Sequence, residues 1–337
     1  MTRTDLARTP VEAVYACGPV RLAVVFDDSC WREALHGLLS QYDAPWPTPE
    51  VVVRVVIERE TTPSQKCEPA GTYLRSYRLR VDRHGSRLLS RSRVGVWMEF
   101  DLAGRTARIT VPFHADAPEL MEEIEQQLVL LLARAWSQAG WTPLHAASLI
   151  PPGEQRCVLL CAPSGTGKTT LTTAFLRRGW RTLGDDKTLL RIEAEGVVAR
   201  SLAQRFHLHP SAARWFPEAG NLAQSPRYSR WTDKRIVRIA DVWSDRLLER
   251  AAPVGLLQVE RVERGMGFEP LDRIQTLNTL LRQVAIPTDP EHARPLVSCI
   301  AHTAAKLNSA RLKIGSEAFT DPAIMERMDD FLRGLLP

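Results

Sequence analysis

Residues 162–170, Ala-Pro-Ser-Gly-Thr-Gly-Lys-Thr-Thr, constrain this chain more than any other stretch. They follow the pattern Ala/Gly-x4-Gly-Lys-Ser/Thr, with Ala162 where Gly is commoner. Glycines at 165 and 167 let the backbone curl until successive N–H groups point inward, as phosphate oxygens require. In such a loop Lys168 brings a cation to the outer phosphates and Thr169 a hydroxyl to Mg2+. Ser164, Thr166 and Thr170 complete the expected contacts. The apolar run Arg156 to Cys161 predicts a buried strand leading in. Leu171, Ala174 and Phe175 recur at helical spacing after the loop, and Gly179 suits the position just past the helix end. The helix N-terminus would then face the phosphates.

The flanking sequence predicts more of this edge. His145–Ile150 reads as a strand, and Pro151–Glu154 as a turn into the next one. So short a link forces an antiparallel pair. If Ile150 faces Arg156, His145 faces Cys161 and lands beside the loop. Beyond the helix, Trp180–Gly184 reads as a strand parallel to the loop-leading one, ending in Asp185-Asp186 on the same edge. One carboxylate there can hold Mg2+ and the other can accept a proton from an attacking hydroxyl. Thr188–Ile192 and Val197–Ser201 predict a hairpin. Arg205, His207 and His209 follow and suit either a phosphate contact or the surface. Lys234 and Arg235, just ahead of a strand, suit a second phosphate contact or a solvated face. Leu271–Val284 and Asp321–Leu335 predict helices, the second capped by Asp321 with Pro322 at its first position.

The preceding half reads as β-rich. Residues 1–20 are weakly patterned, Arg21–Phe26 suggests a strand, and Asp27 or Asp28 suits a cap for a helix over 29–42. Val51–Glu60 is β-branched. A meander follows over Tyr73–Val81, Arg87–Arg91, Val94–Asp101 and Thr106–Val111. Arginines 75, 78, 80, 83, 87, 91 and 93 stud it, as expected of the solvated face of an antiparallel sheet. Pro118–Gln138 is the clearest helix, with Leu120, Ile124, Leu128, Leu131 and Ala135 in one stripe.

Composition narrows the class. With 337 residues, 44% hydrophobic and 25% charged, the chain suits one large or two ordinary globular domains. No apolar run approaches the roughly 20 residues of a membrane helix, and the N-terminus lacks a signal-like apolar core. The expectation is a cytoplasmic protein with no membrane partner. A formal charge of +5 suits phosphate or acidic partners and does not by itself indicate nucleic acid. The six cysteines form no CxxC pair, so buried thiols are expected rather than metal ligands.

Taken together, His145, the loop, a helix ending Arg-Arg-Gly and Gly-Asp-Asp resemble the HPr kinase/phosphorylase catalytic domain. Thr232–Ile239, Thr-Asp-Lys-Arg-Ile-Val-Arg-Ile, is similar to that family's Lys-Arg strand entry. The resemblance covers about residues 143–315 and is specific around 145–187. It implies an α/β fold with a P-loop mixed-sheet core, shared with phosphoenolpyruvate carboxykinases, behind an N-terminal β-rich α+β part. The implied division is 1–115, a connecting helix over 116–142, and a catalytic domain over 143–337. It also implies ATP and Mg2+ as cofactors and serine on a peptide or small protein as phosphoryl acceptor. Asp185 would be the general base, Asp186 would sit with Thr169 at the metal, and His145 would lie at the phosphates. Family members form oligomers, so a homo-oligomer is implied without a number. The family's glycine- and basic-rich loop appears here as Thr288–Pro295, and its later metal-associated Glu has no match in 200–210. A small-molecule kinase, a decarboxylating enzyme of the carboxykinase type and an ATP-binding scaffold use the same core and stay open at this point.

Overall fold

Alternating apolar residues build the first half of the computed structural model, which describes residues 11–26, 30–42, 45–60, 69–74, 79–112, 117–163, 165–229 and 232–336. The fold is mixed α/β. It divides into two compact units, Met1–Gly140 with Ile286–Arg294, and Trp141–Ala285 with Pro295–Pro337.

In the first unit the elements are β1 (Val11–Cys17), β2 (Val20–Phe26), α1 (Cys30–Leu39), β3 (Val51–Arg59), β4 (Leu79–His84), β5 (Arg87–Ser92), β6 (Trp97–Asp101), β7 (Thr106–Val111) and α2 (Ala117–Gln138). One sheet takes the order β1-β2-β3-β7-β6-β5-β4, parallel at β2–β3 and β3–β7. Val51, Val53, Val55 and Ile57 point inward from β3, and the predicted α2 stripe from Leu120 to Ala135 is buried on this sheet. The meander is present, its first described strand covering Leu79–His84; residues 75–78 of the expected strand lie outside the described residues. Its arginines pair within the unit: Arg87 with Glu99 at 2.8 Å, Arg83 with Glu291 at 2.8 Å, and Arg91 over the Trp97 ring. Arg75, Arg78, Asp27 and Asp28 lie outside the described residues. Segment Ile286–Arg294 joins this unit through Thr288 N–H, which donates to the Tyr73 carbonyl at 2.8 Å.

The second unit contains β8 (Thr142–Leu144), β9 (Ala147–Leu149), β10 (Arg156–Cys161), α3 (Lys168–Arg177), β11 (Thr188–Glu193), β12 (Gly196–Ser201), β13 (Arg205–Leu208), β14 (Arg227–Ser229), β15 (Thr232–Arg238), α4 (Ile239–Val242), β16 (Arg250–Arg261), β17 (Met266–Pro270) and α5 (Arg273–Leu281). After α6 (Pro290–Ala304), whose first residues belong to the other unit, come β18 (Asn308–Ile314) and α7 (Pro322–Gly334). The expected loop over Thr288–Pro295 is therefore largely the start of a helix, with Pro295 inside it.

Long strand β16 organises the sheet. β18 runs parallel on one side of it. On the other side β12 pairs antiparallel with its first residues, and β10 pairs parallel with Ala252 to Gln258. β10, β16 and β18 consequently end on one edge. Helix α3 packs Leu171, Ala174 and Phe175 into the core, where Phe175 meets Trp180 edge-on at 5.0 Å. The Trp180 indole N–H donates to Asp329 Oδ1 on α7 at 3.0 Å. Cys157 and Cys161 are fully buried, and burial pushes both thiols up to about 12. Among the described residues no helix is long and apolar enough to cross a membrane.

Two local expectations change. The single strand over 145–150 is split: β8 pairs with β11, and β9 pairs with β10. The register also slips by one, since Leu149 faces Val158, which leaves Ala146 rather than His145 on the line of Cys161. The strand over Trp180–Gly184 is instead an extended segment held by single bridges, Ile150 to Arg181 and Thr182 to Leu247. Its direction is still that of β10, because both run antiparallel to the β9 segment.

Candidate active site

The loop between β10 and α3 is shaped by its glycines. Gly165 has φ +81° and Gly167 φ +110°, conformations that disfavour other residues. A Cβ at either position would meet nothing within 4 Å. Packing therefore does not demand glycine here; the backbone conformation does, and the space before it stays open. Gly167 caps α3 without a side-chain hydrogen bond, so the first-turn N–H groups face that space.

Lys168 is 5% exposed. Its Nζ lies 3.2 Å from the Ala162 carbonyl, 3.1 Å from Asp186 Oδ1 and 3.4 Å from His145 Nε2. His145 falls where the chain leaves the β8 ladder for the β9 ladder. Its own N–H donates to the Gln283 carbonyl at 2.9 Å, and its Nδ1 lies 3.2 Å from Gln283 Oε1. Nε2 is thereby aimed at Asp186 Oδ1, 3.2 Å away. Nε2 accepts from Lys168 in one tautomer and donates to Asp186 in the other.

The paired carboxylates have separate surroundings. Thr169 Oγ1 donates to Asp185 Oδ2 at 2.5 Å. Asp185 is 2% exposed, and its Oδ1 is buried with no hydrogen-bond partner among the described residues. Burial, reinforced by the neighbouring Asp186 charge, pushes the Asp185 carboxyl well above the usual carboxylate range. A buried carboxylate oxygen left so is costly until a cation reaches it. An oxygen-preferring divalent cation suits Thr169 Oγ1 and Asp185. Burial alone would also raise Asp186, but the His145 hydrogen bond and the Lys168 charge outweigh it and hold this carboxyl below its ordinary value. Asp186 has φ +61°, in the left-handed region that Asp and Asn tolerate better than most residues.

Short polar contacts fix this turn. Leu183 N–H donates to Ser148 Oγ at 2.9 Å, Thr182 Oγ1 to the Ser148 carbonyl at 2.8 Å, and Lys187 N–H to the Asp185 carbonyl at 2.7 Å. Gly184 has φ +147°, and a Cβ there would sit 2.1 Å from the Ala203 carbonyl oxygen.

A cavity of about 350 Å³ opens over the loop at the edge where β10, β16 and β18 end. Gly165, Thr166, Gly167, Lys168, Thr169, Thr170, Asp186 and Lys234 all line it. Ser164 lies outside the described residues. Lys234 lines it, whereas Arg235 does not: its guanidinium donates to the Ser225 carbonyl at 3.1 Å. Asp185 lies against Thr169, and Asp186 lines the cavity. His207 and His209, whose place the sequence left open, both line the cavity. Burial, with the Lys187 charge, drives the His207 imidazole down to about 4, so it is neutral near pH 7. The sequence reading missed Arg214, Trp215 and Phe319, which stand on 3-10 turns with no apolar period to mark them.

No family model matches this sequence, and no curated protein matches it. Among solved structures, the Hpr(Ser) kinase/phosphatase from Coxiella burnetii aligns with a TM-score of 0.33 at 12% identity, over 57% of this chain and 95% of that chain. The likeness is distant.

Proposed function

We propose that this chain is an ATP- and Mg2+-dependent kinase that transfers the γ-phosphoryl group to a hydroxyl, with serine on a peptide or small protein as the acceptor. The observation that carries the reading is the division of the adjacent carboxylates: Asp185 against the Thr169 hydroxyl, Asp186 against Lys168 in the cavity. Phosphoryl transfer needs one carboxylate on the metal side and one within reach of the attacking hydroxyl.

In this assignment the loop N–H groups and Lys168 bind the phosphates, and Lys234 adds a second cation. Thr169 and Asp185 would hold Mg2+, which when bound neutralises charge on the β- and γ-phosphates. The acceptor oxygen attacks the γ-phosphorus, the bond from that phosphorus to the β–γ bridging oxygen breaks, and ADP leaves. The hydroxyl proton passes to the Asp186 carboxylate. His145 holds Asp186 in place and takes part in its hydrogen bonding.

Asp185→Asn tests the split. The Mg2+ concentration needed for half-maximal transfer should rise about 10- to 100-fold, with part of the loss recovered in Mn2+ and metal-free ATP binding unchanged. Complete loss of transfer with an unaltered metal requirement would return the base role to Asp185. Transfer from γ-labelled ATP into a host lysate identifies the acceptor class. A labelled protein or peptide band is expected, whereas label confined to small molecules would make the acceptor a metabolite.

A further inference from the structure

We infer that Trp215 and Phe319 form the nucleobase subsite of the cavity, taking the purine of the nucleoside triphosphate by stacking rather than contacting the phosphoryl acceptor. The inference rests on the kinase reading above. Topology sets the direction of the bound nucleotide. Asp186 reaches the loop from the β9 side of β10, so the γ end of the phosphates lies there. On the opposite side of β10 stand β16 and then β18. The turn that follows β18 carries Phe319, and the turn that follows β13 carries Trp215. A phosphate chain laid across the loop from Lys168 therefore leads its nucleoside toward these two rings.

The rings form one wall. Their centroids are 5.5 Å apart, tilted by 47°, and both line the same cavity as the loop. Trp215 is pinned from behind, since the Arg177 guanidinium of α3 donates to its carbonyl at 2.6 Å. The exposed Arg214 guanidinium lies 4.1 Å from the Trp215 ring centroid. A purine can stack on that cation or take its place over the ring. Both rings rest on the core and stay partly exposed at the cavity, and every base offers a π-face to them.

The test compares binding of MgATP with that of magnesium tripolyphosphate, which has the phosphates but no base. Titration calorimetry on the full chain would use wild type, Trp215→Ala, Trp215→Phe, Phe319→Leu and Lys168→Ala, each first checked for an unchanged far-UV spectrum. Wild type should bind MgATP more tightly than tripolyphosphate. Trp215→Ala should weaken MgATP about tenfold or more and leave tripolyphosphate unchanged. Trp215→Phe should restore most of the loss, and Phe319→Leu should weaken MgATP selectively from an independent turn. Equal loss for both ligands, or no loss for either, overturns the subsite. So does a raised acceptor KM with unchanged nucleotide affinity, which would assign the wall to the acceptor. If Lys168→Ala weakens neither ligand, the kinase reading itself falls; if it weakens both while the ring variants change nothing, only the subsite does.

Discussion

A chain carrying Asp186→Asn is expected to lose phosphoryl transfer by about 10²- to 10⁴-fold while binding MgATP at least as tightly as the unaltered protein. The first half follows from the proton. Asn cannot accept it, and no other carboxylate of the pair reaches the cavity, because Asp185 is held behind Thr169. The second half follows from Lys168. Its ammonium is 3.1 Å from Asp186 Oδ1, so incoming phosphates must draw it away from an existing ion pair. Without that charge, more of the Lys168 attraction is available to nucleotide. The substitution also suits the backbone, since Asn is among the residues that accept the φ of +61° at this position. Removing one partner of a partly buried ion pair should lower the melting temperature of the ligand-free chain, and MgATP should restore it. Transfer from γ-labelled ATP, nucleotide titration and a melt with and without MgATP read the three effects separately. Transfer at the normal rate would refute the base assignment. Parallel loss of transfer and of nucleotide binding would reduce Asp186 to a structural partner of Lys168.

Much of this site is legible in the sequence because its parts are local. The loop, helix α3 with Leu171, Ala174 and Phe175, and the hairpin β11–β12 each depend on spacing within one short stretch of chain. The position of His145 was legible only in outline. Counting back from the Pro-Pro-Gly turn assumes one unbroken ladder, whereas the chain changes partner between β8 and β9, and His145 sits at that change. Strand β1 escaped notice because its outward positions carry Val14 and Ala16 beside one polar residue, Glu12, which blurs the alternation with buried Tyr15 and Cys17. The rings of Trp215 and Phe319 come from turns about a hundred residues apart, and only the ends of β13 and β18 bring them to one cavity. Segment Ile286–Arg294 joins the first unit by nonlocal bonds such as Tyr73 Oη to His292 Nδ1 at 2.8 Å, which no local pattern announces. The separate duties of Asp185 and Asp186 turn on which of two adjacent side chains faces Thr169, a matter of one backbone conformation.

That conformation is set by Gly184, and Gly184→Ala should be among the most damaging small substitutions in the chain. The added Cβ would lie 2.1 Å from the Ala203 carbonyl oxygen, a distance no side-chain rotamer can relieve, and φ of +147° is itself closed to alanine. Thr182, fully buried, holds Gly184 to the β9 segment: its Oγ1 accepts from Gly184 N–H at 3.0 Å and donates to the Ser148 carbonyl at 2.8 Å. The strain must therefore move either Ala203 or the turn that carries Asp185 and Asp186. A cost on the order of 3 kcal/mol is expected, equivalent to a fall of about 6–12 °C in melting temperature for a unit of this size. Transfer should fall further than the folded fraction does, because the Asp185 contact with Thr169 depends on the same turn. Gly153→Ala provides the comparison. Gly153 has φ +82° in an open turn, with nothing within 4 Å of the added Cβ, so only about 1–2 kcal/mol of backbone strain applies and activity per folded molecule should be kept. Melts and transfer rates for the two variants side by side decide the matter. If Gly184→Ala melts and reacts like Gly153→Ala, the close approach to Ala203 does not position the carboxylates.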